Sequence, residues 1–314
     1  MRVLFWGTSS FATPSLRALL GEGFEVVGVV TQPDRPVGRS RSTLEPSPVK
    51  RCAESEGLLV LQPERPRGDE FLRAIRDLEP DISVVVSYGH ILTREVIELP
   101  KLGTVNVHAS LLPKLRGASP IQAAVREGLI ETGVTIMRMV PALDAGPIIL
   151  QARTPIAADE TYGELELRLS ELGALALVEA LTLIAMGKAS ERPQDDAAAT
   201  YAGKIERESA RINWQEGCGV VGRHIRAYDP KPGAFTTLRG AEVKLFGATE
   251  TDEAGSEGST RPGQVLSLDE RGMLVACGDG AVRIAFAQPA GKKRLSVQAW
   301  ARGRGVAMGE RFGE

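Results

Sequence analysis

The chain has 314 residues, 43% of them hydrophobic and 25% charged, with a formal net charge of −2; that length fits about two ordinary domains, and that mixture excludes a largely disordered chain. Its 34 glycines and 19 prolines follow no three-residue period, which excludes collagen. Cys52, Cys218 and Cys277 lie too far apart in sequence for a CxxC site or a disulfide framework, so a reducing, cytoplasmic setting is expected.

Residues 3–6 form an apolar run too short for a signal-peptide core. They read as a buried strand, followed by a Gly7-Thr8-Ser9-Ser10 turn. Leu16, Leu19 and Leu20 recur at helical spacing, and Gly21 and Gly23 close that helix. Further strands are predicted at 26–31, 58–61, 82–86, 103–108 and 134–139. Helical patterns at 48–55, 69–78, 94–99 and 120–126 sit between most of them. This alternation predicts an α/β fold with a doubly wound, mostly parallel sheet covered on both faces. Residues 161–186 read as one long helix whose buried stripe is Leu165, Leu169, Leu172, Leu175 and Leu183. The longest apolar stretch, 174–186, is interrupted by Glu179 and falls short of a bilayer span.

Beyond Gly187 the pattern changes. Polar residues 189–206 read as a linker between a domain at 1–188 and another at 207–314. The second region opens with a predicted helix at 219–227. Short apolar runs follow at 234–238, 242–246, 263–268, 273–277 and 282–287, broken by Gly, Pro or Asp, and they predict a small antiparallel β-barrel. Residues 250–260 read as a hairpin tip. Residues 1–206 hold 22 basic and 27 acidic side chains, against 16 and 13 in 207–314, an asymmetry too mild to define a polyanion site.

In an open parallel sheet, ligands bind beyond the carboxyl ends of the strands. The polar residues that follow each predicted strand therefore mark the candidate site. Gly7-Thr8-Ser9 follows the first, Ser87-Tyr88-Gly89-His90 the strand at 82–86, and Leu143-Asp144-Ala145-Gly146 the strand at 134–139. The strand at 103–108 ends in Asn106-Val107-His108, and alternate strand residues share a face, so an amide and an imidazole project side by side. Asn106 can donate to a carbonyl oxygen that becomes negative, and His108 can donate to it or pass a proton near neutral pH. Asp144 can accept from His108 and set its tautomer, or take a proton from a nucleophile through water. No serine or cysteine occupies a GxSxG elbow, so direct acyl transfer to an external amine is expected. The first turn, Gly7-Thr8-Ser9-Ser10-Phe11, lacks GxGxxG and GxxxxGK[ST], and no acid-rich pair or HxxxH spacing suggests a metal, so none is expected.

Asn106-Val107-His108-Ala109-Ser110-Leu111-Leu112-Pro113, then Arg116-Gly117, then Leu143-Asp144-Ala145-Gly146, resembles the formyltransferases that draw on 10-formyltetrahydrofolate. Four further stretches resemble the branch of that family acting on methionyl-tRNA: Thr31-Gln32-Pro33-Asp34-Arg35-Pro36-x-Gly38-Arg39, Pro46-Ser47-Pro48-Val49-Lys50, Gly133-Val134-Thr135-Ile136-Met137 and Gln288-Pro289-Ala290-Gly291-Lys292-Lys293. The resemblance implies a Rossmann-like catalytic domain and an OB-like C-terminal barrel that binds tRNA. It implies Asn106, His108 and Asp144 as catalytic residues. Ser110, Leu111, Leu112, Pro113, Gly89, Ile91 and Leu92 fall on the folate-contacting positions. The implied reaction gives N-formylmethionyl-tRNA for translation initiation, with folate and initiator methionyl-tRNA as partners, no membrane, and a cytoplasmic monomer. A sugar-nucleotide N-formyltransferase and a non-catalytic RNA-binding relative are the alternatives. Ser9-Ser10 departs from the family's entry turn. Leu115 replaces a frequent aromatic, a change expected to leave the catalytic three untouched.

Residues 33–48 are too long for an ordinary strand-to-helix turn and carry three arginines and four prolines. They read as a semi-stiff basic flap able to meet acceptor-stem phosphates. Arg39 and Arg41, with Lys292 and Lys293, are the expected tRNA contacts. Arg294, Arg302 and Arg304 would extend that surface.

Overall fold

The structure, a computed structural model, describes residues 1–37, 43–251 and 261–313. Its elements begin with β1 (Arg2–Gly7), α1 (Thr13–Gly21), β2 (Glu25–Val30), β3 (Arg35–Val37), β4 (Thr43–Glu45), α2 (Pro48–Ser55), β5 (Val60–Leu61) and α3 (Asp69–Arg76). There follow β6 (Ile82–Val86), α4 (Arg94–Ile97), β7 (Thr104–His108), β8 (Arg116–Gly117), α5 (Pro120–Arg126), β9 (Glu131–Arg138), β10 (Ile148–Pro155), α6 (Tyr162–Ala185) and β11 (Tyr201–Ala202). The chain divides into two compact units. One comprises 1–117, 132–154 and 166–201; the other comprises 118–131, 155–165 and 202–314. These cuts differ from the sequence boundaries at 188 and 206, and the polar stretch 189–201 belongs to the first unit.

The first unit holds a seven-stranded sheet in the order β10-β9-β7-β6-β1-β2-β5. β1 pairs in parallel with β2 and β6, β2 with β5, and β6 with β7. β9 runs antiparallel to β7, with Asn106 opposite Met137 and His108 opposite Thr135. The central strands are continuous Val/Ile/Leu runs because both faces are covered: Val3, Leu4, Phe5 and Trp6 are fully buried, as are Ile82, Val84 and Val86. Trp6 lies edge-on to Phe71 and Tyr88, and its indole N–H donates to Ser83 Oγ at 3.1 Å. α2 starts where its sequence dictates, with Pro48 in the first turn and Ser47 Oγ accepting from Lys50 N at 3.0 Å.

Three expectations change. β10 was not foreseen, because its half-buried residues carry little alternation. The stripe of the long helix is also shifted. Leu165, Leu169, Ala176, Leu177, Ala180 and Leu181 are buried, whereas Leu175 is 70% exposed on the other face. In a leucine- and alanine-rich helix the leucines alone do not locate the buried side, because alanine packs equally well. The described ends of the basic flap form a two-stranded antiparallel ribbon, β3 with β4, pairing Arg35 with Glu45 and Val37 with Thr43.

The second unit contains α7 (Cys218–Ala227), β12 (Ala234–Leu238), β13 (Ala241–Glu250), β14 (Val265–Asp269), β15 (Gly272–Ala276), β16 (Ala281–Pro289), β17 (Leu295–Ser296) and α8 (Val297–Arg302). Its strands form an antiparallel sheet in the order β12-β13-β16-β15-β14, with β17 on β16. Trp214, Tyr228, Phe235, Leu245, Ile284, Trp300 and Phe312 contribute to its core, where Phe312 stacks between Trp214 and Trp300. Most of the expected hairpin tip, 252–260, lies outside the described residues.

Candidate active site

β7 places Asn106 and His108 at the carboxyl end of a central strand, two residues apart and so on one face. Val107 points the other way, against Gly173 of α6. Asn106 is half-buried and its carboxamide bonds to no other described residue. His108 is 5% exposed. Its Nε2 lies 2.9 Å from the Leu115 carbonyl, so in the neutral ring Nε2 carries the hydrogen and Nδ1 is the open acceptor. Nδ1 faces Asp144, with Oδ2 at 3.8 Å. That separation is too long for a hydrogen bond. The tautomer is therefore set by Leu115 and not, as expected, by Asp144. Leu115 also does touch one of the three candidate residues, His108, through an atom that every residue possesses. Burial holds His108 below the ordinary imidazole range, and the Asp144 charge and Leu115 carbonyl oppose that shift.

Asp144 sits on the loop between β9 and β10 with φ of 47°, a left-handed conformation that disfavours side-chain-bearing residues. Its Oδ2 accepts from Gly117 N at 2.7 Å. Two residues on, Gly146 approaches β9 so closely that a Cβ would lie 1.8 Å from the Arg138 carbonyl oxygen. This is the physical reason for the glycine that follows the carboxylate.

Thr135 and Gln151 lace the 110–113 segment to the sheet. Thr135 Oγ1 donates to the Ser110 carbonyl at 2.7 Å and accepts from Leu112 N at 3.1 Å. Gln151 Nε2 donates to the Leu112 carbonyl at 2.9 Å. Ser110 Oγ is turned inward onto the Lys114 carbonyl at 2.6 Å. Leu112 clusters with Met137 and Ile148. Leu92 is buried with Trp6 and Tyr88, whereas Ile91 is 92% exposed. Gly89 has φ of 90°, and a Cβ there would strike Gln32 Nε2 at 2.6 Å. Ser9 Oγ donates to Ser87 Oγ at 2.8 Å, so the departure at Ser9 becomes a bond closing the entry turn.

Arg39 and Arg41 lie outside the described residues. The base of their flap is anchored: Lys50 Nζ and Gln62 Nε2 each reach an Asp34 oxygen at 2.7 Å. In the second unit Lys292 and Lys293 are exposed in the turn after β16, and Arg302 and Arg304 are exposed near the end of α8. Arg294 is not free to extend that surface. It donates to both Asp229 oxygens, at 2.8 and 3.4 Å, and stacks over Phe246 and Phe286 at 4.3 and 4.7 Å. Among the described residues no group of three or more His, Cys, Asp or Glu is placed to hold a metal, and no helix is long and apolar enough to cross a membrane.

The Asn106 amide, the buried His108 imidazole and the Asp144 carboxylate gather on the rim of the parallel sheet, the arrangement of a candidate group-transfer site. Two family models match the chain: formyl transferase over residues 1–181 and the formyl transferase C-terminal domain over 204–305. The chain belongs to the formyltransferase family. It is 45% identical over 313 residues to the methionyl-tRNA formyltransferase of Moorella thermoacetica, covering 100% of this chain and 99% of that protein. It shares its fold with HypX from Aquifex aeolicus in complex with tetrahydrofolic acid, at a TM-score of 0.66 and 22% identity, over 96% of this chain and 47% of HypX. It also shares its fold with the N-formyltransferase of Helicobacter canadensis in complex with folinic acid and dTDP-3-aminofucose, at a TM-score of 0.68 and 20% identity, over 91% of this chain and 98% of that one.

The sequence reading missed Thr135, Gln151, Gln194 and Thr200 as supports of the site. Thr135 lay inside a quoted stretch. The others carry no local signal, since their partners, main-chain carbonyls and amides together with the Arg116 guanidinium and the Thr135 hydroxyl, are distant in sequence.

Proposed function

We propose that this chain transfers the formyl group of 10-formyltetrahydrofolate to the α-amine of methionyl-tRNA, yielding tetrahydrofolate and N-formylmethionyl-tRNA for translation initiation. The observation that carries this reading is the 45% identity to a methionyl-tRNA formyltransferase across the whole chain. On the same reading the chain works in the cytoplasm, where its three free cysteines stay reduced.

The site chemistry supports it. The neutral amine attacks the formyl carbon. Asn106, whose N–H groups bond to no other described residue, donates to the formyl oxygen as it becomes negative. His108 Nδ1 accepts the proton that the amine sheds, and Asp144 at 3.8 Å balances the imidazolium. The imidazolium adds a second donor to the oxyanion, then returns the proton to N10 as the carbon–N10 bond breaks. One proton leaves the amine and one reaches N10, so the enzyme ends as it began. The exposed Ile91, the side-chain-free Gly89 and the apolar Leu112 suit a flat, partly apolar donor. With Ser110, Leu111, Pro113 and Leu92 they form its proposed contacts. Arg39, Arg41, Lys292 and Lys293 are the proposed phosphate contacts, which the exposure of the two lysines supports.

Tetrahydrofolate release from 10-formyltetrahydrofolate tests this, with charged initiator tRNA in one arm and an aminosugar nucleotide in the other. Release that requires methionyl-tRNA and yields formylmethionine is expected. Turnover with the aminosugar alone, or with neither acceptor, overturns the reading.

A further inference from the structure

The polar stretch after α6, which has no apolar periodicity, reaches the catalytic groups from both sides. Arg192 exchanges both main-chain hydrogen bonds with Ile148, at 2.8 and 2.9 Å. Gln194 Nε2 donates to the Asp144 carbonyl at 2.8 Å and to the Gly146 carbonyl at 2.7 Å. Gln194 Oε1 accepts from Arg116 Nε at 3.1 Å and Nη2 at 2.8 Å. Arg116 is 3% exposed, and its Nη2 also meets Asp196 at 2.7 Å. Thr200 Oγ1 accepts from Leu115 N at 2.9 Å, and the Thr200 carbonyl accepts from Arg116 N at 2.8 Å.

We infer that residues 192–200 are a strap that sets the His108–Asp144 gap, with Gln194 as the positioning residue for Asp144. The inference rests on the formyl-transfer reading. Asp144 holds a left-handed backbone conformation, which residues other than glycine visit only occasionally, and outside bonds keep it there. Gly117 N holds its carboxylate, and Gln194 holds its carbonyl and that of Gly146. On the other side Thr200 holds Leu115, whose carbonyl fixes the His108 ring. Only a carboxamide offers two N–H groups to two carbonyls and one oxygen to a guanidinium. Glutamate there turns an oxygen on both carbonyls, and methionine loses all four bonds.

A double-mutant cycle on the full chain separates positioning from mere support. Formyl transfer to methionyl-tRNA is measured for wild type, Gln194→Met, Asp144→Asn and the double variant. Gln194→Met is expected to lower kcat ten- to a hundredfold, on the order of what a misplacement of about 1 Å does, with both KM values within about twofold. In the Asp144→Asn background the same change is expected to lower kcat by less than about threefold, because Gln194 acts through that carboxylate. Gln194→Glu keeps Arg116 paired, serves as the folding-safe variant, and is expected to show the same kcat loss. A kcat within twofold of wild type in the single variants, or a loss that multiplies in full in the double variant, overturns the strap. Wild type that fails to formylate methionyl-tRNA overturns the substrate reading alone. The strap is then read from the NMR titration of the His108 ring, which moves to lower pH in Gln194→Met as the Asp144 charge moves off; an unmoved midpoint overturns it.

Discussion

His108 and Asp144 stand 3.8 Å apart across a space that a proton on Nδ1 converts into a charge-assisted contact. Burial favours the neutral ring, which on the proposed mechanism receives the proton the amine sheds. His108→Ala removes that acceptor and should lower kcat by at least about a hundredfold. It also leaves the Leu115 carbonyl without its partner, a loss of roughly 1–3 kcal/mol that denaturant unfolding measures. Asp144→Asn keeps an acceptor for Gly117 N but removes the anion that favours the imidazolium. The His108 pKa then falls, and the acid limb of the kcat/KM profile should move to lower pH; an unmoved limb would show that Asp144 acts by shape alone. That Asn106, His108 and Asp144 come together at the sheet's rim was legible in the sequence because period-two alternation and a glycine-bounded loop are local features. The Leu115 contact was not, because a main-chain carbonyl has no identity in a sequence.

At the scale of elements, two segments that look like connections are held like working parts. The strap is fixed at Arg192, Gln194 and Thr200. The flap is fixed at its base by Asp34, whose Lys50 partner is only 17% exposed, so water screens that pair less than a surface bridge. Thr31 and Ser47 hydroxyls meet at 2.8 Å and close the same base. The described ends of the ribbon, Arg35–Val37 and Thr43–Glu45, are therefore held at their base. Arg39→Ala is expected to raise the KM for methionyl-tRNA several-fold while the KM for 10-formyltetrahydrofolate stays constant; equal KM values for tRNA would remove Arg39 from the interface. The elements themselves were largely readable. β6, α2, α5 and β12 carry the bounds that apolar period and capping residues predict. β10 and the true face of α6 were not, since an edge strand and an alanine-rich helix leave weak periodic signals.

For the whole molecule, two buried histidines couple folding to pH. His108 and His224 are both held below the ordinary imidazole value by burial, and the buried His224 Nε2 bonds to no other described residue. Unfolding releases both to bind protons. Their contribution to stability is therefore complete above about pH 6.5 and is lost as pH falls through the native values. The unfolding midpoint should drop between pH 7.5 and 5, and His224→Gln should flatten that drop; a level response would contradict it. Asp34 and Glu164, held low by hydrogen bonds, act in a separate window, below about pH 4.5. Binding of methionyl-tRNA should weaken steeply as salt rises, because phosphate contacts release counterions; salt-independent affinity would exclude the proposed lysine and arginine contacts. The sequence alone determined the parallel sheet, its carboxyl rim, the three chemical groups on that rim and the family, because each depends on residues near one another in the chain. Only the tertiary structure decided the direction of β9, the ring nitrogen left open on His108, the tethering of Arg294 and the strap. Each of these is a pairing between distant segments, and apolar periodicity reads the same whichever way a strand runs or whichever partner a polar side chain finds.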